Sequence, residues 1–181
     1  MSKLKKEVVK ETENDTKDEN QTPWYKRWYS IVAFIVFVAM MMFNYNYAII
    51  LVNGESMSPN YHDGDILFSQ KQYDYLNRFD VVIINSSKAD HIIIKRVIGL
   101  PGETIDYIDN QLFVNGEYVE DRYGTGTTQN FTITLDENSY YCLGDNRENS
   151  YDSRAYGSFS DKEILAKVYG RQHAKLADSL I

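Results

Sequence analysis

Along the 181 residues, apolar and polar positions fall into three blocks of different character. Residues 1–28 are dominated by Lys, Glu, Asp, Asn and Thr, with almost no large apolar side chain before Trp24. Such a segment buries too little surface to offset its ordering entropy, and a disordered tail is expected. From Tyr29 to Val52 there is then no charged residue in 24 positions. Coiled as a helix, that stretch would reach about 36 Å, enough to cross a hydrocarbon core of about 30 Å. A buried core helix is usually shorter and keeps a polar stripe, whereas this one is apolar on every face until Asn44 and Asn46. A cleaved leader would carry small residues where Tyr45, Asn46 and Tyr47 stand. The pattern therefore predicts one retained transmembrane helix over 29–52. Lys26 and Arg27 flank its start, with Trp24, Tyr25, Trp28 and Tyr29 as interface anchors, and the first charges beyond it are Glu55, Asp63 and Asp65. That asymmetry predicts a single pass through a lipid bilayer, with the tail in the cytoplasm and residues 53–181 outside.

Residues 53–181 read as mainly β. Phe79 to Ile84 and His91 to Ile98 are short β-branched runs bounded by Asn, Ser, Gly and Pro, as strands should be. Between Leu112 and Val119, Asn115-Gly116 separates two apolar runs, the strongest short hairpin signal because both central turn positions favour positive φ. Asp109-Asn110 predicts a second turn just before it, so this part forms a small antiparallel meander. Helix is expected only as a turn within Asp161 to Lys167, and no repeat interrupts the pattern.

Composition removes several classes of function. The formal net charge is −7, from 26 acidic against 19 basic residues, which gives no general attraction to phosphate backbones, so no nucleic-acid partner is expected. One cysteine cannot form an intramolecular disulfide, and with His62, His91 and His173 as the only histidines no spacing resembles a zinc site. No metal or cofactor is expected. No Gly-x-Ser-x-Gly elbow offers a histidine a serine partner. Cys142 has two readings: a nucleophile in an anchored β-domain, as in the sortase transpeptidases, or an inert thiol buried within Tyr140-Tyr141-Cys142-Leu143. The sortase motif Thr-Leu-x-Thr-Cys is absent.

Three polar islands carry the remaining chemistry. Asn53-Gly54-Glu55-Ser56-Met57-Ser58-Pro59-Asn60 sets serines among turn residues directly after the apolar block. Lys95-Arg96-Val97-Ile98-Gly99-Leu100-Pro101-Gly102 puts a lysine among strand residues able to desolvate it, although a strand-edge lysine with its head in solvent is the plainer reading taken alone. Gly144 to Gly157 holds Asp145, Arg147, Ser150, Asp152 and Arg154, far more hydrogen-bonding side chains than a surface loop needs.

In this order the islands resemble type I signal peptidases, the membrane-anchored serine proteases that remove signal peptides from exported preproteins. The likeness covers most of residues 53–170. It implies an antiparallel β-sheet catalytic domain of signal-peptidase type. It also implies that Ser56, in Gly-x-Ser-Met-x-Pro, is the nucleophile and that Lys95, opening Lys-Arg-x-x-Gly-x-Pro-Gly, is the general base. The third island matches Gly-Asp-Asn-Arg-x-x-Ser-x-Asp-Ser-Arg-x-x-Gly in full. It carries over Ser150 as the hydroxyl that orients the lysine and Asp145, Arg147, Asp152 and Arg154 as its supporting network. Two departures stand out: Asn60 replaces the usual Thr, and Phe79 stands where the family writes Gly before Asp80, which is expected to alter that turn. The short segment between the second and third islands is similar to that of the compact single-anchor enzymes of Gram-positive bacteria, which implies a bacterial cell membrane; the related mitochondrial peptidases share the motifs.

The chemistry also stands without the family. Lysine at its reference pKa of about 10.4 is nearly all protonated at neutral pH, so it serves as a base only if burial disfavours its ammonium form. The Ser56 N–H should meet the developing oxyanion, with a second donor expected near Gly54. Substrate is expected to add as an extended strand beside Ile92 to Ile94, with Met57, Tyr61, Ile93 and Ile94 either walling shallow pockets for small side chains or simply packing a core. Three readings follow: an active peptidase, a homologue that binds signal peptides without cutting them, and an anchored adhesion or transpeptidase domain working through Cys142.

Overall fold

A computed structural model describes residues 24–172 other than Asp90. The expected tail lies outside the described residues as far as Pro23, and so does His173. Two compact units divide the chain, residues 1–43 and 44–181. The first contains most of helix α1 (Trp24–Asn46), 23 residues and so about 34 Å long. From Trp28 to Asn46 its mean hydropathy is 1.8 and none of that stretch is buried.

The helix is shorter than the uncharged block. Tyr47–Leu51 forms strand β1, paired antiparallel with β2 (Ile66–Gln70), Ile49 lying opposite Phe68. Those five residues are as apolar as the helix before them, but their side chains alternate in exposure and their backbone groups find partners 19 or so residues away. The expected span of 29–52 as one helix is corrected accordingly.

The rest of the second unit is antiparallel β, as expected. Its further strands are β3 (Val81–Ile84), β4 (Ile93–Gly99), β5 (Thr104–Ile108), β6 (Gln111–Val114), β7 (Glu117–Val119), β8 (Phe131–Thr134), β9 (Ser139–Leu143), β10 (Phe159–Ser160) and β11 (Ile164–Gln172). Seven of the strands form one sheet in the order β1-β2-β11-β3-β4-β9-β10, and four form another in the order β7-β6-β5-β8. The second is the predicted meander. Asn115 and Gly116 both take positive φ in the β6–β7 turn, as do Asp109 and Asn110 between β5 and β6.

Strand β9 joins two cores by simple alternation. Cys142 points into a cluster with Val82, Ile84, Ile93, Val97 and Phe159, while Tyr141 and Leu143 point into one with Ile98, Ile105, Leu112 and Leu135. Each such aliphatic side chain contributes about 1.5–3 kcal/mol on burial. The helical turn expected within Asp161 to Lys167 is confined to a 3-10 turn at Asp161–Glu163, because from Ile164 onward the chain pairs with both β2 and β3. A short helix, α2 (Ser153–Tyr156), falls inside the third island instead.

Phe79 takes φ 71°, the left-handed conformation that glycine adopts without strain. The turn is therefore kept, at a cost of about 1–3 kcal/mol. Offsetting it, the Phe79 N–H donates to Val97 O at 2.7 Å, its carbonyl accepts from Arg96 at 2.8 Å, and its ring packs 5.4 Å from that of Tyr123.

Candidate active site

Ser56 lies on the turn between β1 and β2, whose ends are tied by Val52 N–H to Asp65 O at 2.8 Å and Gly64 N–H to Val52 O at 2.9 Å. Inside the turn, Tyr61 N–H donates to Met57 O at 2.9 Å and Ser58 N–H to Glu55 O at 3.1 Å. The Gly54 N–H is committed to Asp63 Oδ1 at 2.8 Å, which removes it as the second oxyanion donor. From the third island, Asn146 N–H donates to Ser56 O at 3.1 Å. A Cβ on Gly144 would come within 2.5 Å of that same carbonyl oxygen and would also strike Ser150 Oγ. Only glycine allows this approach.

Lys95 sits on β4 opposite Val82, 3% exposed, with its Nζ hydrogen-bonded to Ser56 Oγ at 2.9 Å and to Ile94 O at 2.9 Å. Two residues 39 positions apart are thus in direct contact. Burial brings the lysine pKa down to about 8, and the nearby Asp152 only partly opposes the shift. The solvent-exposed strand-edge reading of Lys95 is excluded by this placement.

The other charged residues of the third island hold this arrangement from behind. Asp145 is fully buried and pairs with Arg96, at 2.7 Å from its Nε and 2.5 Å from its Nη2. Asn60, the departure from the family pattern, donates its amide to Asp145 Oδ2 and to Tyr123 O, each at 3.0 Å. Arg147 reaches the second sheet: its guanidinium donates to Gly144 O at 2.9 Å, to the Tyr107 hydroxyl at 2.6 Å and to Asp121 at 2.6 Å. Asp152 caps α2, accepts from Gly144 N–H at 3.0 Å, and takes Arg154 on both carboxylate oxygens at 2.9 and 2.8 Å. Burial alone would raise its pKa, but these bonds outweigh it and hold the carboxyl below its usual range. Ser150 Oγ is buried with no hydrogen-bond partner among the described residues. Arg96, Tyr107, Asp121 and Tyr123 were not singled out from sequence; of these only Arg96, adjacent to Lys95, carried any signal.

A cavity of about 470 Å³ opens beside the serine and lysine. One wall is residues 50–53 at the end of β1; the other is residues 91–95 leading into β4. Strand β9 pairs with β4 only from Arg96 onward, so the preceding stretch has no strand partner on that side among the described residues, and Ile94 O there accepts from Lys95 Nζ. Met57, Ile93 and Ile94 line this cavity. Tyr61 does not. It lines a separate cavity of about 350 Å³ with Asn60 and Tyr123, its ring lying 5.0 Å from the Arg171 guanidinium and 6.0 Å from that of Arg96.

Cys142 is fully buried, and burial pushes its thiol far above the ordinary value. A nucleophilic thiolate is disfavoured there.

Comparison with known proteins agrees with the geometry. The family model described as signal peptidase, peptidase S26, matches residues 25–171. Signal peptidase I T of Bacillus subtilis is 34% identical over 160 residues, covering 80% of this chain and 83% of that protein. Signal peptidase I of Bacillus licheniformis is 32% identical over 167 residues, covering 84% and 90% respectively. The crystal structure of a signal peptidase I from Enterococcus faecalis aligns with a TM-score of 0.50 at 31% identity, over 54% of this chain and 100% of that one. With its family match spanning nearly all of the described residues, the chain belongs to the signal peptidases of peptidase family S26.

Proposed function

We propose that the protein is a serine endopeptidase that cleaves N-terminal signal peptides from exported preproteins at the outer face of a bacterial cell membrane, with Ser56 as nucleophile and Lys95 as general base. The observation that carries this reading is the buried Lys95 amine 2.9 Å from Ser56 Oγ. Neutral Lys95 takes the Ser56 proton as Oγ attacks the scissile carbonyl carbon; the resulting ammonium then gives that proton to the departing amine. Water, deprotonated by the same lysine, attacks the acyl-enzyme ester, and as the ester C–O bond breaks the Lys95 ammonium returns that proton to Ser56 Oγ, releasing the acid product and restoring the neutral amine. The Ser56 N–H makes no hydrogen bond to a described residue, which leaves it available to the oxyanion. Ser150 Oγ, buried beside Gly144, is the hydroxyl that orients the lysine while Ser56 is acylated. Asp145, Arg147, Asp152 and Arg154 position these groups through the bonds described above.

The signal-peptide end lies extended in the 470 Å³ cavity, beside the stretch leading into β4 that β9 does not cover, while Met57, Ile93 and Ile94 admit small side chains. The domain organisation follows: a cytoplasmic tail, α1 as the single membrane anchor, and the β-rich unit as the extracytoplasmic peptidase. An anchored enzyme meets a membrane-held preprotein at raised effective concentration. Purified protein incubated with a preprotein should release a shortened product with a new N-terminus, and Cys142→Ala should do so equally well. A wild-type chain that binds the preprotein without shortening it would leave the non-cleaving reading in place.

Orientation gives a separate expected result. Because Lys26 and Arg27 precede α1, protease added outside intact spheroplasts should digest residues beyond Leu51 and spare the N-terminal tail. Protection of a reporter fused at the C-terminus would overturn the assignment.

A further inference from the structure

The substrate cavity is apolar along most of its length, and its one titratable side chain other than Lys95 is His91, at the far end of the β4 wall. Between them stand Ile92, Ile93 and Ile94. His91 is exposed, and among the described residues its imidazole has no hydrogen-bond or ion-pair partner, so it can meet a polar group placed in the cavity. We propose that His91 is a specificity-determining residue that reads the substrate side chain four positions upstream of the one seated at Ser56 and Lys95, favouring a carboxylate or carboxamide over a cation there.

The register comes from strand geometry. An extended peptide paired beside β4 advances at the same rise per residue as the strand, about 3.3 Å. Four residues separate His91 from Lys95 and β4 begins at Ile93, so for a peptide running parallel to β4 a substrate residue level with His91 lies at most about 13 Å upstream of the one at the scissile bond. The chemical preference comes from the imidazole: its N–H donates to an oxygen acceptor such as a carboxylate or carboxamide, which an ammonium group does not offer. On the β4 side only Ile92, Ile93 and Ile94 stand between His91 and Lys95, and the opposite wall of residues 50–53 carries a single polar side chain, the uncharged Asn53, so discrimination along the β4 side falls to His91.

The inference rests on the reading of this cavity as the signal-peptide groove. A competition assay separates the two. Pairs of signal-peptide substrates identical except for Glu or Lys at the fifth residue before the cut are mixed and offered to the full-length protein in detergent, and the ratio of products is read; because both peptides share one enzyme, any loss of active protein cancels. Wild type should favour Glu about two- to five-fold, as expected for an exposed charge interaction. His91→Ala should bring the ratio close to one, His91→Lys should preserve it and His91→Glu should invert it. The same pairs varied at the third residue after the cut should give a ratio that these His91 substitutions do not alter. A Glu-to-Lys ratio at the fifth position that is the same in wild type and all three variants overturns the inference while leaving the peptidase reading intact. Failure of wild type to cut any peptide instead removes the groove reading, and the inference with it.

Discussion

Replacing Ser56 with alanine is expected to abolish preprotein cleavage, lowering kcat/KM on the order of 10⁴-fold or more. The turn should survive, because Ser56 is held through its backbone, by the Asn146 N–H on its carbonyl, while its hydroxyl bonds to Lys95. Expression and membrane insertion should therefore match wild type. Ser58→Ala is the informative companion. It removes an identical hydroxyl two residues away, from a side chain with no contact to Lys95, and should retain most activity. Mass spectrometry of a preprotein incubated with each purified protein decides the matter. Cleavage at comparable rates by wild type and both variants would sink the nucleophile assignment.

Why the serine and lysine were legible at all is a matter of local sequence density. Each lies in a short island whose residue types make little sense as surface loop, and the third island announces a polar network by its content of Asp, Arg and Ser. The hairpin at Asn115-Gly116 was legible for a different reason. Its positive φ values are a property of two adjacent residues, and no distant contact is needed to impose them.

What stayed hidden depends on partners far along the chain. Tyr47–Leu51 carries no charge and is indistinguishable by hydropathy from the helix before it; only pairing with β2 makes it a strand. The segment from Ile164 has acceptable helix formers but is claimed by β3 as far as Lys167 and by β2 from Lys167 onward. Arg96 sits next to Lys95 in sequence and faces the other way, onto Asp145 and 3.9 Å from the Tyr123 ring. Neighbouring residues on a strand point to opposite faces, so one serves the proposed chemistry and the other the support beneath it. Asn60 gains its meaning only when its amide is seen bridging Asp145 and the Tyr123 carbonyl. The residue that departs from the family pattern is thus a donor in that network.

The lysine yields the second large effect, and it separates a base from a positive charge. Arginine keeps the charge and much of the length, yet its guanidinium does not give up a proton in a protein, so Lys95→Arg should be as inactive as Lys95→Ala. His62→Ala should leave turnover largely intact, since that residue lies outside the cavity that holds Ser56. With the lysine pKa lowered to about 8 by burial, kcat/KM should climb with pH on its acid limb and level off above about 8. At pH 7 the lowered value raises the neutral-amine fraction from about one in 2,500 to about one in ten. The same shift costs stability. Between about 8 and the unfolded value of about 10.4 the unfolded chain holds a proton that the native one has released, so stability rises with pH across that window. Below it the native state carries a desolvated ammonium at a penalty of about 3 kcal/mol. Lys95→Met, inactive but close in shape, should therefore unfold at higher denaturant than wild type at pH 6, and the gap should close by pH 10. Substantial turnover by Lys95→Arg, or a stability gap between Lys95→Met and wild type that ignores pH, would overturn the assignment of Lys95 as a base made competent by burial.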